Sequence, residues 1–305
     1  MGDGYINLWR ARRVSSPRHD ESRMPSELDA AITGWIPVPA APSVAVTSAR
    51  LQLHHAVQVA NAPAMSYLPP VTDDSHTTFG WEPDVQAFVS QLVPFPEPRR
   101  FGWRPEDLTL LAVDGGGRIR ATCALRGMPL AAAHDWARAE CVRAGGDGER
   151  YTSHKHYEIP AHAVAAGAEF DAAPAALRTL ATLWGNAIQM LDAIVADAGG
   201  TALPVRLWPH HFDVGTIITI GAKQLIGGGF TPGDHYYDEP YWYVSPYPKP
   251  PTPGRPPLAG GGVWREGEFF GAVLPWSAYG QNPTQGVAAG AFLRTALDGA
   301  RALLA

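Results

Sequence analysis

Ionisable side chains are concentrated in one segment of the chain, residues 204–250. Two groups stand out there: His210, His211 and Asp213, and then Asp234, His235, Asp238 and Glu239. Trp, Tyr, Ile and Val are interleaved with them, and burying a charge without a partner is costly. The segment therefore predicts a functional site. Its catalytic candidates are His211, Asp213, Asp234 and Glu239.

The first of these groups is also a candidate metal site, made of His210, His211 and Asp213. Imidazole and carboxylate side chains are the ligands of zinc and of non-haem iron. On a strand, residues two apart share a face, so His211 and Asp213 are expected to converge on one ion. The spacing matches no established motif such as HExxH. The favoured alternative is structural, with the histidines bonding backbone groups and the carboxylates satisfying turn amides.

The same segment is rich in aromatic residues, which predicts a polar-aromatic cleft for a small molecule at 204–243. Such clefts combine apolar walls with a few polar groups that orient the ligand. The alternative is ordinary sheet packing, in which aromatic residues are common. The expected ligand-binding residues are Trp208, Phe212, Tyr241, Trp242 and Tyr243.

Two other polar groups carry weaker signals. The HKHYE segment at 154–158 has the HxHxE spacing of half a cupin metal motif, but the glycine framing is missing, which favours a solvated strand face. His55 and the DDSH loop at 73–76 could form a general base oriented by a carboxylate. Local turn bonding by the aspartates explains the same loop without catalysis.

Several function classes are excluded by what the chain lacks. There is no G-x-S-x-G nucleophile elbow, and the glycines at 227–229 are not followed by the Gly-Lys-Ser/Thr of a P-loop. A net charge of −5 and the absence of a basic stripe argue against nucleic-acid and membrane-surface partners. Two cysteines are too few for a disulfide scaffold. A soluble cytoplasmic protein is expected.

The elements that must position these residues predict an α+β fold, with antiparallel sheet packed against helices. Helices are expected at 47–62, 85–92, 129–142, 173–198 and 288–304. Strands are expected at 108–113, 119–125, 154–160, 204–208, 214–220, 223–230, 241–245 and 269–274. We expect 204–274 to form one antiparallel sheet with the helix at 173–198 on its face.

The predicted domain organisation is a disordered extension at 1–25 and two similar α+β lobes. The lobes span 26–150 and 151–305, and the second carries the site. The leading functional hypothesis is a small-molecule protein, with metal-assisted catalysis by zinc or iron as one form of it. The alternative is a non-catalytic partner-binding protein that uses the Pro/Tyr-rich loop 244–258 as its contact surface.

The second half of the chain contains several unusual words in a fixed order: WPHHFDVGT (208–216), GGGFTPGD (227–234), EPYWYVSPYPKPP (239–251) and GEFFGAVLPWSAYG (267–280). In these words it resembles an uncharacterised bacterial family catalogued as a domain of unknown function. The resemblance covers about residues 175–305 and implies no activity, cofactor or catalytic residue. Relatives in that family have Gly-Ser where this chain has His210-His211, which argues against an essential histidine pair.

Overall fold

The structure is a computed structural model that describes residues 26–251 and 254–305. The extension expected at 1–25 lies outside the described residues. Eleven strands of the described part form one antiparallel sheet, in the order β10-β11-β9-β8-β7-β6-β1-β2-β3-β4-β5. They are β1 (Phe79–Glu82), β2 (Ala87–Ser90), β3 (Arg99–Arg104), β4 (Thr109–Asp114), β5 (Ile119–Ala124), β6 (Arg206–Trp208), β7 (Asp213–Gly221), β8 (Gln224–Thr231), β9 (Tyr241–Tyr247), β10 (Val263–Arg265) and β11 (Gly271–Pro275).

Six α-helices accompany the sheet in the described ranges, which confirms the α+β class. They are α1 (Glu27–Thr33), α2 (Val44–Tyr67), α3 (Leu130–Arg143), α4 (Pro174–Asp197), α5 (Trp276–Tyr279) and α6 (Gln285–Leu304). As expected, the strands between 204 and 275 pair antiparallel, and α4 packs on β7 and β8.

One face of the sheet packs against the helices and forms the main core. Alternate strand residues such as Leu207, Val214 and Phe230 point to this face and are buried together with apolar residues of α2, α4 and α6. Trp184 of α4 lies at its centre, with its ring 6.0 Å from Phe88 and 5.4 Å from Phe212. The opposite face of the sheet is called here the second face.

Each half of the chain contributes one run of strands to the sheet. Strands β1 to β5 are neighbours in the order of the sequence, and so are β6 to β9. The two runs meet at β1 and β6, where one register pair joins Phe79 to Leu207. The sheet is therefore continuous across the halves. The proposed division into lobes near residue 150 stays a prediction.

Three local predictions were wrong. The helix expected at 47–62, which was to end before Pro63, continues as α2 to Tyr67, whose ring packs edge-on against Phe95 and whose hydroxyl donates to the carbonyl of Asp147. The expected helix at 85–92 is a short 3-10 turn followed by strand β2. The expected strand at 154–160 is irregular, so the HxHxE residues do not share a strand face.

Candidate functional site

The loops that carry the candidate residues meet at one end of the sheet, called here the hairpin end. The antiparallel register places Trp208 opposite Asp213 at the β6–β7 turn, and Thr231 opposite Tyr241 at the neighbouring β8–β9 loop. The start of β1 pairs with β6 at the same end, which brings the loop at 73–78 close to the turn. Residues far apart in sequence are thereby gathered.

The two histidines lie in the β6–β7 turn and not on a strand, so the expected alternation of His210, His211 and Asp213 does not apply. The turn closes at Phe212, which has a left-handed φ of +61° and is 1% exposed. Its ring stacks on His54 of α2 at 4.5 Å. Phe212 is therefore a core residue and not part of a ligand-binding wall.

Trp242 is also a core residue, because it points from β9 toward the helices and is 0% exposed. Its neighbours on the strand, Tyr241 and Tyr243, point to the second face. Trp208 is half-buried and lies on that face beside Asp213. Of the five aromatic residues expected in the cleft, three therefore share the second face with the carboxylates.

Two tyrosine–aspartate pairs lie side by side on the second face. The hydroxyl of Tyr243 donates to Oδ2 of Asp213, and the hydroxyl of Tyr241 donates to Oδ2 of Asp234 at 2.6 Å. The two tyrosines are two residues apart on β9, so their side chains project in parallel. The structure thus brings Asp213 and Asp234 together on one surface, while their catalytic role stays a prediction.

Two glycines allow Tyr243 to lie across the sheet. A Cβ at Gly215 would lie 2.8 Å from the Tyr243 hydroxyl, and one at Gly229 would overlap both that hydroxyl and, at 2.5 Å, the carbonyl oxygen of Val214. Any side chain at either position would block the path of the phenol to Asp213. The glycines here let the Tyr243 side chain approach the backbone of the sheet closely, and they do not form a phosphate-binding loop.

The two carboxylates differ in how fully they are bonded. Oδ1 of Asp234 accepts from the backbone N–H of Tyr236 at 2.7 Å and of Tyr237 at 3.2 Å, in addition to the tyrosine bond on Oδ2. Oδ1 of Asp213 is buried and receives no hydrogen bond from another described residue, although the backbone N–H of Asp213 itself lies close to the carboxylate. Burial raises the pKa of Asp213, and the nearby His211 works against that rise. Asp213 is thus the carboxyl with unused bonding capacity.

Sequence reasoning missed a row of polar residues on α2 that faces the hairpin end. Arg50, His54, Gln58 and Asn61 follow a spacing of three to four residues, so they share one side of the helix, and all are buried. Arg50 bonds Asp238 at 2.6 Å. The sequence signal that could have revealed this row is the mixture of polar and apolar residues from 50 to 61, in a helix that has no strong amphipathic pattern.

The row on α2 holds the β6–β7 turn in place. Nε2 of His54 lies 3.0 Å from the carbonyl oxygen of Pro209, and the side-chain amide of Gln58 donates to that oxygen at 2.8 Å. Gln58 in turn accepts from the hydroxyl of Tyr157 at 2.7 Å, and Asn61 donates to that hydroxyl at 3.1 Å. Burial lowers the pKa of His54 to about 3, so this histidine is neutral in its position.

Parts of the three separate candidate groups also meet near this turn. The ring of His210 is 4.2 Å from that of His211 and 5.6 Å from that of Tyr157. His156, next to Tyr157, lies 3.0 Å from the Asp74 carboxylate. Burial lowers the pKa of His210 to about 4, and its Nδ1 has no hydrogen-bond partner in the described part of the chain. His55 is used elsewhere, against the carbonyl of Pro160 at 3.1 Å.

Glu239 has a separate structural use. Its carboxylate accepts from the backbone N–H and the hydroxyl of Ser277, both at 2.7 Å, and so fixes the short helix α5. Among residues 26–251 and 254–305, no group of three His, Cys, Asp or Glu is placed to hold a metal ion. The structure therefore gives the metal interpretation of His210, His211 and Asp213 no support.

Two concavities lie away from the tyrosine–aspartate pairs. One of about 660 Å³ is lined by residues of the β1–β2 and β3–β4 connections, of β5 and the segment that follows it, and of α4, among them Arg104, Arg126 and Arg178. The other, of about 110 Å³, lies at the β1–β6 junction. Asp213 and Glu239 line neither of them, so the site at the hairpin end is a surface of the second face and neither of these cavities.

The Pro/Tyr-rich segment 244–258 is partly built into the fold. Its first residues belong to β9. Further on, the indole of Trp264 donates to the carbonyl of Pro256 at 2.8 Å, and the guanidinium of Arg255 lies 4.6 Å from the Phe270 ring. These contacts hold Arg255 and Pro256 against β10 and the loop that precedes β11.

No protein-family model matches the chain. No curated protein and no solved structure matches it either. The resemblance to a bacterial family of unknown function stays a prediction. The helices of the described residues include none that is long and apolar enough to cross a membrane.

Proposed function

We propose that this protein binds a small molecule on the second face of its sheet, at the hairpin end, with the Tyr243–Asp213 pair as the recognition group. Trp208, in register with Asp213, supplies an adjacent flat apolar surface. The ligand donates a hydrogen bond to Oδ1 of Asp213. The proposal includes a cytoplasmic location for the protein. It does not include a bound zinc or iron ion.

The observation that carries the proposal is the unequal bonding of the two carboxylates. A buried polar atom without a partner costs about 1–3 kcal/mol. Eleven buried side-chain atoms of the described residues have no hydrogen-bond partner, and Oδ1 of Asp213 is the one carboxylate oxygen among them. Asp234 shows that this surface can satisfy a carboxylate fully. Asp213, with Oδ1 left over, retains a bonding site that a ligand can fill.

The test is ligand-observed NMR with three small probes: methylguanidinium, methylurea and benzoate. We expect at least one of the two donor-bearing probes to bind the wild-type protein and to bind Asp213→Asn and Tyr243→Phe at least about tenfold more weakly. Asp298→Asn, at an exposed position on α6, is the matched control and should bind like wild type. Equal binding of every probe to wild type and Asp213→Asn, or no binding at all, would overturn the proposal.

A further inference from the structure

The chemistry around Asp213 restricts the ligand class of the proposed site. An ionised carboxylate in a buried position keeps an uncompensated charge when its partner is a neutral donor, whereas a cationic donor neutralises it. The aromatic rings of Trp208 and Tyr243 lie beside this carboxylate, and aromatic faces attract cations. A cationic ligand is therefore stabilised both by the Asp213 carboxylate and by the aromatic rings of Trp208 and Tyr243.

The same face already holds one cation against tyrosine rings. The guanidinium of Arg265, on β10, lies 4.7 Å from the ring centre of Tyr236 and 5.5 Å from that of Tyr237. Tyr237 packs on Tyr241 at 5.0 Å, so this aromatic surface continues to the tyrosine–aspartate pairs. The second face thus stacks a guanidinium within its own fold, on the same surface as the Asp213 carboxylate, whose Oδ1 has no partner from another described residue.

We infer that the Tyr243–Asp213 pair binds an organic cation that carries a guanidinium or ammonium group, with ionised Asp213 as the counter-ion. This inference rests on the proposed function. The ionisable groups that face Asp213 are Tyr243 and Tyr241 on β9, Asp234 in the β8–β9 loop and His211 in the β6–β7 turn. Asp234 adds negative charge, which favours a cation, and His211 opposes one when it is protonated.

His211 is the exposed ionisable neighbour of the Asp213 carboxylate. Oδ1 of Asp213 is buried, so a ligand reaches it only when a neighbouring side chain moves. The His211 side chain is exposed, which leaves it free to rotate, while Trp208 and Tyr243 are half-buried. Removal of the imidazole in His211→Ala should strengthen cation binding, because it takes away a neighbouring side chain and a group that competes with the cation for Asp213.

Cation binding is coupled to loss of a proton. Burial raises the pKa of Asp213, which favours the neutral carboxyl in the free protein, and a bound cation favours the charged form. The affinity for a cation should therefore rise with pH until Asp213 is ionised in the free protein. Affinity for a neutral probe should not rise in this way.

The experiment compares methylguanidinium with its neutral counterpart methylurea by NMR titration from pH 4 to 8, a range of about four units above the ordinary pKa of an Asp carboxyl, where a raised pKa shows itself. We expect methylguanidinium to bind about tenfold more tightly or better near neutral pH, and its advantage to shrink as the pH falls. The series is repeated in His211→Ala, where a persisting pH dependence assigns the effect to Asp213. Asp213→Asn should abolish the difference between the probes.

The outcomes separate the two proposals. Binding of methylurea that equals or exceeds that of methylguanidinium, but is lost in Asp213→Asn, would refute the cation and leave the small-molecule site standing. Identical binding of both probes to wild type and Asp213→Asn, or no binding of either, would refute both. Preference for methylguanidinium that is insensitive to Asp213→Asn would place a cation site elsewhere and refute this inference.

Discussion

Two adjacent glycines of β8 provide a sharp test of how the tyrosine–aspartate pair is built. A methyl group added in Gly229→Ala would overlap the Tyr243 hydroxyl and lie 2.5 Å from the Val214 carbonyl oxygen. A methyl group added in Gly228→Ala, on the opposite face of the same strand, meets no atom within 4 Å. The two variants make the same chemical change to the chain, so their effects on the unfolded state cancel.

The expected difference follows from these contacts. Overpacking costs typically 1–3 kcal/mol, and loss of a hydrogen bond to a neutral carboxyl costs about 0.5–1.5 kcal/mol. The Gly→Ala change itself stabilises by about 0.4–1 kcal/mol in both variants. We therefore expect Gly229→Ala to be about 3 kcal/mol less stable than Gly228→Ala, which should match or slightly exceed wild type.

Urea denaturation followed by tryptophan fluorescence measures the free energy of unfolding of both variants. The same pair is then made in a Tyr243→Ala background, where part of the steric overlap is removed. The cost of Gly229→Ala should fall there, to the part that comes from the Val214 carbonyl. Equal stability of the two alanine variants, or an unchanged cost without Tyr243, would refute this account of the glycines.

Three further predictions concern buried groups. Because burial raises the pKa of Asp213, the native state binds the carboxyl proton more tightly than the unfolded state does. The protonated carboxyl therefore stabilises the native state below about pH 3.9, and this stabilisation is lost as the pH rises through the native pKa of Asp213. Asp213→Asn should thus gain in free energy of unfolding relative to wild type from pH 3 toward pH 7, and a constant difference would contradict this. Phe212→Ala should cost about 3–5 kcal/mol in denaturant unfolding, since the ring is in the core; a cost below about 1 kcal/mol would be inconsistent with that packing. Burial raises the pKa of Cys141 to about 12, so its thiol should react with Ellman's reagent only on unfolding, and rapid reaction in the native protein would disprove it.

Strands β7, β8 and β9 and helix α4 could be predicted because their patterns are long and regular. The apolar stripe of α4 runs through Leu177, Leu180 and Leu191, which are all buried. Strands β1 and β2 were missed because each has four residues, and such short runs give no clear period. Pro63 did not end α2, since tertiary contacts of the last helical turn outweigh one missing hydrogen bond.

The candidate site was only partly predictable, because tertiary contacts override local pattern at its centre. The alternation rule needs a strand, and the left-handed turn at Phe212 ends it between the histidines and Asp213. Tyr157 leaves the expected strand conformation and bonds Gln58 across 99 residues of sequence. Spacing alone cannot reveal which of two carboxylates is fully bonded, since that depends on backbone N–H groups that only the fold brings near.

The single register pair between Phe79 and Leu207 has a consequence for assembly. The strands on either side of it join neighbours in sequence, whereas this pair closes a separation of 207 − 79 = 128 residues. Local pairings form faster than distant ones, so we expect the two runs of strands to form first and to dock late. Before docking, β1 and β6 each present an unpaired edge, and unpaired edges recruit strands from other chains. Refolding at high protein concentration therefore offers a route to domain swapping between two copies, in which β1 of one chain pairs with β6 of the other.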